Sequence, residues 1–548
     1  MTDAGASSDG ATSVPRGLDI LTDKGMVHGS TSGAVRSFLG IPFAASPAGA
    51  NRWKAPQPVA PWGGKKDATA LGPVCPQPVV WPAANTWRSG DAGATDGGSE
   101  TPAIAYNPAS SEDCLSINVW TPDPAPTAPL PVMVFVHGGA FFFGSSAKFF
   151  GNGSATPIYT GQVLVPKGDV VVVTFNYRLG QLGFLAHSAL SAENGGSSGN
   201  YGLLDQQAAL RWVQNNIQAF GGDKGNVTLF GESAGGWSVC LHLASPGSAG
   251  LFHRAIVESG ICVAPLSALS AAEAKGDAFA KLAGCTDTAN VVSCLRRLAV
   301  DAIVSTSFPI TPGGLFFQDS STTFFPFPIV DGQFLAGQPA ALLANKRMAP
   351  VPVLVGANTS EGLLFNLPGY FLDIPVQSDA EYQAALGHLF DGASASVAMQ
   401  YPPSSFASAN DALTQVTADS AFVCEARKTA QLLSAAGSAV YEYSFNGTLS
   451  GTTLPGIAGK GIHSAELPYV FGAGDELGSV PADNQPLSDA IQRYWARFAK
   501  TGDPNGSPDP TWPVYSQAGD QHLTLDTTIA AGSGLEKASC DFWDTLGL

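Results

Sequence analysis

The sequence predicts an α/β fold: a large, mostly parallel sheet with helices on both faces. Two observations carry the prediction. Short β-branched and apolar runs alternate with stretches of helical period along the chain, and strand, helix, strand alternation builds parallel sheets through crossover helices. Most of these runs are apolar on both faces instead of alternating with polar residues, the pattern of strands covered on both sides. In order they are PVMVFVH at 131–137, VVVVTFNY at 170–177, VTLF at 227–230, AIVES at 255–259, VPVLVGAN at 351–358 and AVYEYSF at 439–445. The clearest helix spans 203–222, with Leu203, Ala208, Leu210, Trp212, Val213 and Ile217 near one face and Gly221 just past its end. The segments 263–350 and 366–435 are longer and less regular, with helical patches such as AAEAKGDAFAKLAG. They read as insertions over one end of the sheet. Residues 1–16 read as a flexible polar lead, and 17–548 as a single domain.

Composition narrows the partners. Among 548 residues, 27 Lys and Arg stand against 44 Asp and Glu, a net charge of −17, so no nucleic-acid partner is expected: there is no basic footprint to neutralise phosphates. Hydrophobic residues reach 45% while charged ones are 13%, which suits a large buried core and excludes disorder. No apolar run reaches the length of a membrane span, so no integral membrane segment is expected. The first residues carry no signal peptide; the polar lead fits a removed export signal or a cytosolic start. The eight cysteines contain no CxxC pair, and neither a metal nor a cofactor is called for. Cys285 and Cys294 flank a short helical run and suit a local bridge in an oxidising compartment. Buried, reduced thiols are the other reading.

The candidate chemistry starts from a serine. GxSxG occurs at 195–199 (GGSSG) and at 231–235 (GESAG); on the order of one match arises by chance in so glycine-rich a chain, so context decides. GGSSG has no strand before it and reads as a loop. GESAG follows the strand VTLF and opens a helical run, the strand, sharp turn, helix order that lifts a serine above the sheet. Ser233 is therefore the candidate nucleophile. A serine hydroxyl needs an adjacent base, itself oriented by an acid. His463, in the glycine-bounded GKGIHSAELPYVF, is the candidate base, while His388 lies in a helical patch and His522 precedes a strand-like LTL. Glu361 follows the strand VPVLVGAN in TSEGLLF, and catalytic groups of open α/β sheets collect at the carboxyl ends of strands. As read from the sequence, a helix-start glutamate favoured by the dipole is the alternative. HGGAFFFG at 137–144 also follows a strand, and the N–H groups of Gly138, Gly139 and Ala234 are candidate donors to a tetrahedral oxyanion. Phe141, Phe142, Phe143, Glu232 and Trp237 flank these groups as candidate pocket residues.

Together with GAVRSFLGIPFA at 33–44, RWKAPQP at 52–58, SEDCLSINVW at 111–120, GNYGLLDQ at 199–206 and HSAELPYVF at 463–471, these motifs resemble the type-B carboxylesterases, the cholinesterase-like branch of the α/β-hydrolases. The resemblance runs from about residue 25 to the C-terminus. It implies an α/β-hydrolase fold with helical insertions over the active site, and a triad of Ser233, Glu361 and His463. It also implies disulfides Cys75 to Cys114, Cys285 to Cys294 and Cys424 to Cys540, and with them a secreted or periplasmic protein. Cys240 and Cys262 match no usual bridge of the family and are free or paired with each other. Ala140 departs from the family pattern, which often has a third glycine there, so the shape of that loop is open.

The expected activity is hydrolysis of short to medium acyl or aryl carboxylic esters through an acyl-enzyme, with a small-molecule ester as partner. Carbamate, amide or lipase-type hydrolysis by the same triad, and a non-catalytic binding protein on the same fold, are the alternatives. The oligomeric state is not legible.

Overall fold

Val171–Phe175 reads VVVTF with every residue buried, and its neighbour Leu130–Val136 is buried from Val132 onward. Such runs satisfy their backbone polar groups by lateral pairing while both faces are covered. A computed structural model of the chain describes residues 17–78, 107–148, 157–306, 327–366, 376–452, 459–474 and 477–547. The polar lead 1–16 lies outside them, as do 307–326 and 367–375 of the two expected insertions.

Among the described residues the main sheet has eleven strands. Its middle runs in the order Val171–Phe175, Leu130–Val136, Gly222–Glu232, Arg254–Glu258, Val353–Asn358, Val440–Phe445 and Gln521–Leu525, every neighbouring pair parallel. All six expected strands are among these. Antiparallel strands finish both edges: Ala530–Ser533 on one side, and Ser116–Pro122, Val35–Pro42 and Ser30–Ser32 on the other. The sequence reading did not count these as strands. Period-two alternation divides the core: Val132, Val134 and Val136 face one hydrophobic cluster and Met133 and Phe135 the other. The helices Tyr201–Asn216 and Ala234–Ala244 bury residues in the first cluster, and Gln485–Thr501 in the second.

The helix expected over 203–222 begins at Tyr201 and stops at Asn216; a 3-10 turn, Ile217–Phe220, tightens its end before Gly221 takes φ 92°. Gly222 already belongs to the next strand, because it pairs with Leu130. The two irregular segments leave the sheet after Arg254–Glu258 and Val353–Asn358. The first contributes the helices Leu269–Leu282, Val291–Arg297, Val300–Thr306 and Pro339–Ala344, the second Asp379–Phe390, Ser394–Gln400, Ala409–Ala418 and Cys424–Ala436.

Four disulfides are present: Cys75 to Cys114, Cys285 to Cys294, Cys424 to Cys540, and Cys240 to Cys262. The last pairing decides the alternative left open by the sequence. Among the described residues no helix is long and apolar enough to cross a membrane.

Candidate active site

The strand Gly222–Glu232 and the helix Ala234–Ala244 leave a single residue between them, Ser233, at φ 57° and ψ −122°. That conformation costs about 1–3 kcal/mol and persists only where the surroundings over-determine it. The surroundings do so. A Cβ on Gly235 would stand 1.9 Å from the Val136 carbonyl oxygen, so only glycine lets the helix start this close to the neighbouring strand. The Ser233 N–H donates to the Glu258 carbonyl at 2.9 Å, tying the turn to the strand on its other side. Ala234 opens the helix, and its N–H has no intrahelical acceptor four residues back. GGSSG is the loop between Ser188–Glu193 and Tyr201–Asn216.

Glu361 and His463 come from loops that follow neighbouring strands, Val353–Asn358 and Val440–Phe445. Both are fully buried. One Glu361 oxygen accepts from the Asn358 N–H at 2.6 Å and from the Ser259 hydroxyl at 2.5 Å. The other stands 2.5 Å from His463 Nδ1. Glu361 does precede a short helix, Gly362–Phe365, but its side chain makes no capping hydrogen bond; the carboxylate is turned to the imidazole instead. Rings of Phe365 and Phe422 pack against the His463 ring, each at 4.8 Å. His463 Nε2 forms no hydrogen bond among the described residues and lies 3.2 Å from Oε1 of Glu232, the residue before Ser233. His388 is exposed on the helix Asp379–Phe390, and His522 is buried in the strand Gln521–Leu525.

Beneath these groups lies a layer that the sequence reading missed. The Ser464 hydroxyl donates to Glu232 at 2.5 Å, the Trp495 indole N–H donates to Glu258 at 2.6 Å, and the Asn358 amide donates to Glu466. Burial pushes the Glu258 carboxyl up to about 8. Burial, and then the neighbouring carboxylates of Glu232, Glu258 and Glu361, push Glu466 well above the usual range. Glu466 lies within the quoted HSAELPYVF. Nothing in its spacing says that it turns inward.

The loop after Leu130–Val136 approaches the serine directly: a Cβ on Gly138 would lie 3.0 Å from Ser233 Cβ. Gly139 takes φ 97°, and its carbonyl accepts from the N–H groups of Phe142 and Phe143. Ala140 and Phe141 follow in the left-handed region, at φ 48° and 65°. The loop therefore keeps a tight turn with alanine at the third position. Its base is fixed by the Tyr177 hydroxyl, which donates to the His137 carbonyl at 2.9 Å while the two rings stack at 4.3 Å. Burial holds His137 down to about 4, which keeps the ring neutral.

Of the candidate pocket residues, Trp237 lines a recess of about 120 Å³ with Phe184, Leu266, Lys275 and Phe327. Phe141 packs edge-on behind Trp237 at 5.5 Å. Phe142 and Phe143 pack against each other and belong to the core cluster on the other face of the sheet. Glu232 is fully buried at the His463 ring.

The family model described as "Carboxylesterase family" matches residues 18–543. The chain belongs to that family. It is 34% identical to an acetylcholinesterase of Bungarus fasciatus, over 96% of this chain and 86% of the relative. It is 35% identical to the para-nitrobenzyl esterase of Bacillus subtilis (strain 168), over 93% and 95%, and 35% identical to the fumonisin B1 esterase of Sphingopyxis macrogoltabida, over 94% and 87%. Family membership makes the chain a serine hydrolase of carboxylic esters.

Proposed function

We propose that this carboxylesterase is an exported enzyme acting on short to medium acyl or aryl esters, with Ser233 as nucleophile, His463 as base and Glu361 as the acid that orients it. The observation that carries the assignment is the buried 2.5 Å contact between Glu361 and His463 Nδ1, which leaves Nε2 as the proton-accepting atom beside the strained serine turn. Ser233 attacks the ester carbonyl, and His463 Nε2 takes its proton and passes it to the leaving alcohol. Water then attacks the acyl-enzyme by the same route in reverse order. Glu361 holds the imidazole tautomer and stabilises the imidazolium. Glu232, the residue before the nucleophile, brings its carboxyl to 3.2 Å from Nε2.

The N–H groups of Gly138, Gly139 and Ala234 receive the tetrahedral oxyanion; losing one such donor typically costs about 10²–10³ in rate. The recess beside Trp237 suits an apolar acyl or aryl group. Four disulfides support an oxidising compartment. Ser233→Ala is expected to lower kcat for p-nitrophenyl acetate about 10⁵-fold or more while the fold stays intact. Turnover at the wild-type level would refute the assignment.

A further inference from the structure

The helix that begins behind Ser233 ends at Ala244, eleven residues later, about 16 Å away. At that far end lies a recess of about 290 Å³, separate from the one beside Trp237. Its chemistry is specific. Ser245 lines it, 3% exposed, with a buried hydroxyl that finds no hydrogen-bond partner among the described residues. Such a group costs free energy unless something satisfies it. Gln207, Asn194 and Ser197 add amides and a hydroxyl whose own donors are engaged, by Ser248, by Trp53, Leu190 and Tyr201, and by Asp331 in turn, so that the oxygens of Asn194 and Ser197 remain to accept from a guest; Tyr201 and Phe334 add aromatic carbon. Among the described residues the one lining carboxylate, Asp331, is already satisfied: one oxygen accepts the N–H groups of Gln333, Phe334 and Leu335, the other the Ser197 hydroxyl at 3.0 Å.

No Lys or Arg lines the recess among the described residues, so nothing there would offset an anion. An apolar guest would leave the Ser245 hydroxyl orphaned. The lining favours a neutral molecule with hydroxyls for the amides and C–H faces for the rings.

A hydrogen-bond chain runs from this recess to the serine turn. The Gln207 amide donates to Ser248 Oγ at 3.0 Å, and Ser248 Oγ is 2.7 Å from His242 Nδ1. His242 Nε2 is 2.9 Å from Gln206 Oε1, the Gln206 amide donates to Ser238 Oγ at 3.0 Å, and Ser238 Oγ donates to the Ala234 carbonyl at 2.8 Å. Gln206 Oε1 can only accept, which assigns the proton to His242 Nε2; Nδ1 then accepts from Ser248. With that tautomer every donor points the same way, from Gln207 to Ala234, and bonds in such a series reinforce one another. All five linking side chains are buried. Gln207 Oε1, outside the chain, accepts from Arg211 at 2.5 Å.

We propose that this recess is a second, non-catalytic binding site for a neutral, hydroxyl-rich molecule of about monosaccharide size, and that its occupancy is felt at the oxyanion donors through the chain from Gln207 to Ala234. Filling it reorients the Gln207 amide, the first donor, and the change reaches the residue whose N–H opens the nucleophile helix. The kinetic half of the proposal rests on the esterase reading, and the binding half does not.

The test is calorimetric titration of the full chain, its serine blocked by an organophosphate, with D-glucose as probe and glucose 6-phosphate as its anionic counterpart. A parallel assay follows p-nitrophenyl acetate turnover in unblocked enzyme. D-glucose is expected to bind and the phosphate not to. Ser245→Leu, and Gln333→Trp at the exposed rim, should each weaken binding about tenfold or more. Saturating D-glucose should shift kcat about twofold or more in the wild type and not in Gln333→Trp. Gln333→Trp keeps the test valid if Ser245→Leu does not fold. Absence of D-glucose binding, binding that survives Gln333→Trp, equal binding of the phosphate, or binding with kcat unchanged would each overturn the proposal. A chain that binds D-glucose but hydrolyses no ester would instead count against the esterase reading.

Discussion

Ser233 and His463 stand on opposite halves of the site, and the halves keep their shape by different means. On the serine side, a strand and a helix meet with one residue between them, and backbone crowding around Gly235 leaves the turn no other conformation. On the histidine side, the ring hangs on a loop and is held by the Glu361 contact, two packed phenylalanines and hydrogen bonds that begin at Ser259, Asn358 and Ser464. The contrast teaches that the first half is specified by sterics within a short sequence window, whereas the second exists only once strands, loops and an insertion have assembled.

Substitutions can break or sharpen that division. The largest effect is expected from Glu361→Gln, which removes the charge and offers the wrong hydrogen-bonding pattern to Nδ1: kcat for p-nitrophenyl acetate should fall about 10⁴-fold with little change in melting temperature. If stability fell instead of kcat, the histidine side would be structural. Gly235→Ala should act the other way, destabilising the fold by about 4 kcal/mol or more, because its methyl would overlap the Val136 carbonyl; a wild-type melting curve would remove crowding as the reason for the turn.

Glu258 probes the ground between the halves, since its carbonyl holds Ser233 and its carboxyl is pushed up to about 8 by burial. A carboxyl whose folded pKa lies above its unfolded one contributes fully below the unfolded value and loses that contribution as pH rises through the folded value. Stability should therefore decline between about pH 4.5 and about pH 8, by on the order of 5 kcal/mol. Denaturant titrations of Glu258→Gln should show the flatter profile, and identical profiles would discount the buried carboxyl. The smallest effect is Ala140→Gly. At φ 48° the alanine pays a left-handed penalty that glycine avoids, so the variant should gain about 0.5–1 kcal/mol in thermal melts; a loss would mean the loop tolerates alanine without strain.

How much of this was legible follows from where each signal resides. Six central strands could be read because burial on both faces makes them apolar throughout. Ser116–Pro122 and Val35–Pro42 were not counted: each lies inside the sheet with a neighbour on either side, but Ser, Asn and Thr in the first and Arg, Ser and Gly in the second interrupt the apolar run. The serine turn could be found because glycines bracket it after a strand. Glu361 was picked as a carboxylate after a strand and His463 as an imidazole in a glycine-bounded loop, and the family resemblance joined them to the serine, while Ser259, Ser464 and Glu466 carried no readable signal: a buried polar residue is distinguished only by its partners. The pairing of Cys240 with Cys262 was undecided for the same reason.

From its order of residues alone this chain determined a parallel sheet and a strained serine at the end of one strand, because period and steric crowding act over a few neighbours. The tertiary structure alone decided that Glu361 would meet His463, that four carboxyl groups would be buried together, and that the far end of the nucleophile helix would open on a polar recess. Those contacts join residues as many as 237 positions apart, and no local preference encodes which distant side chain will arrive.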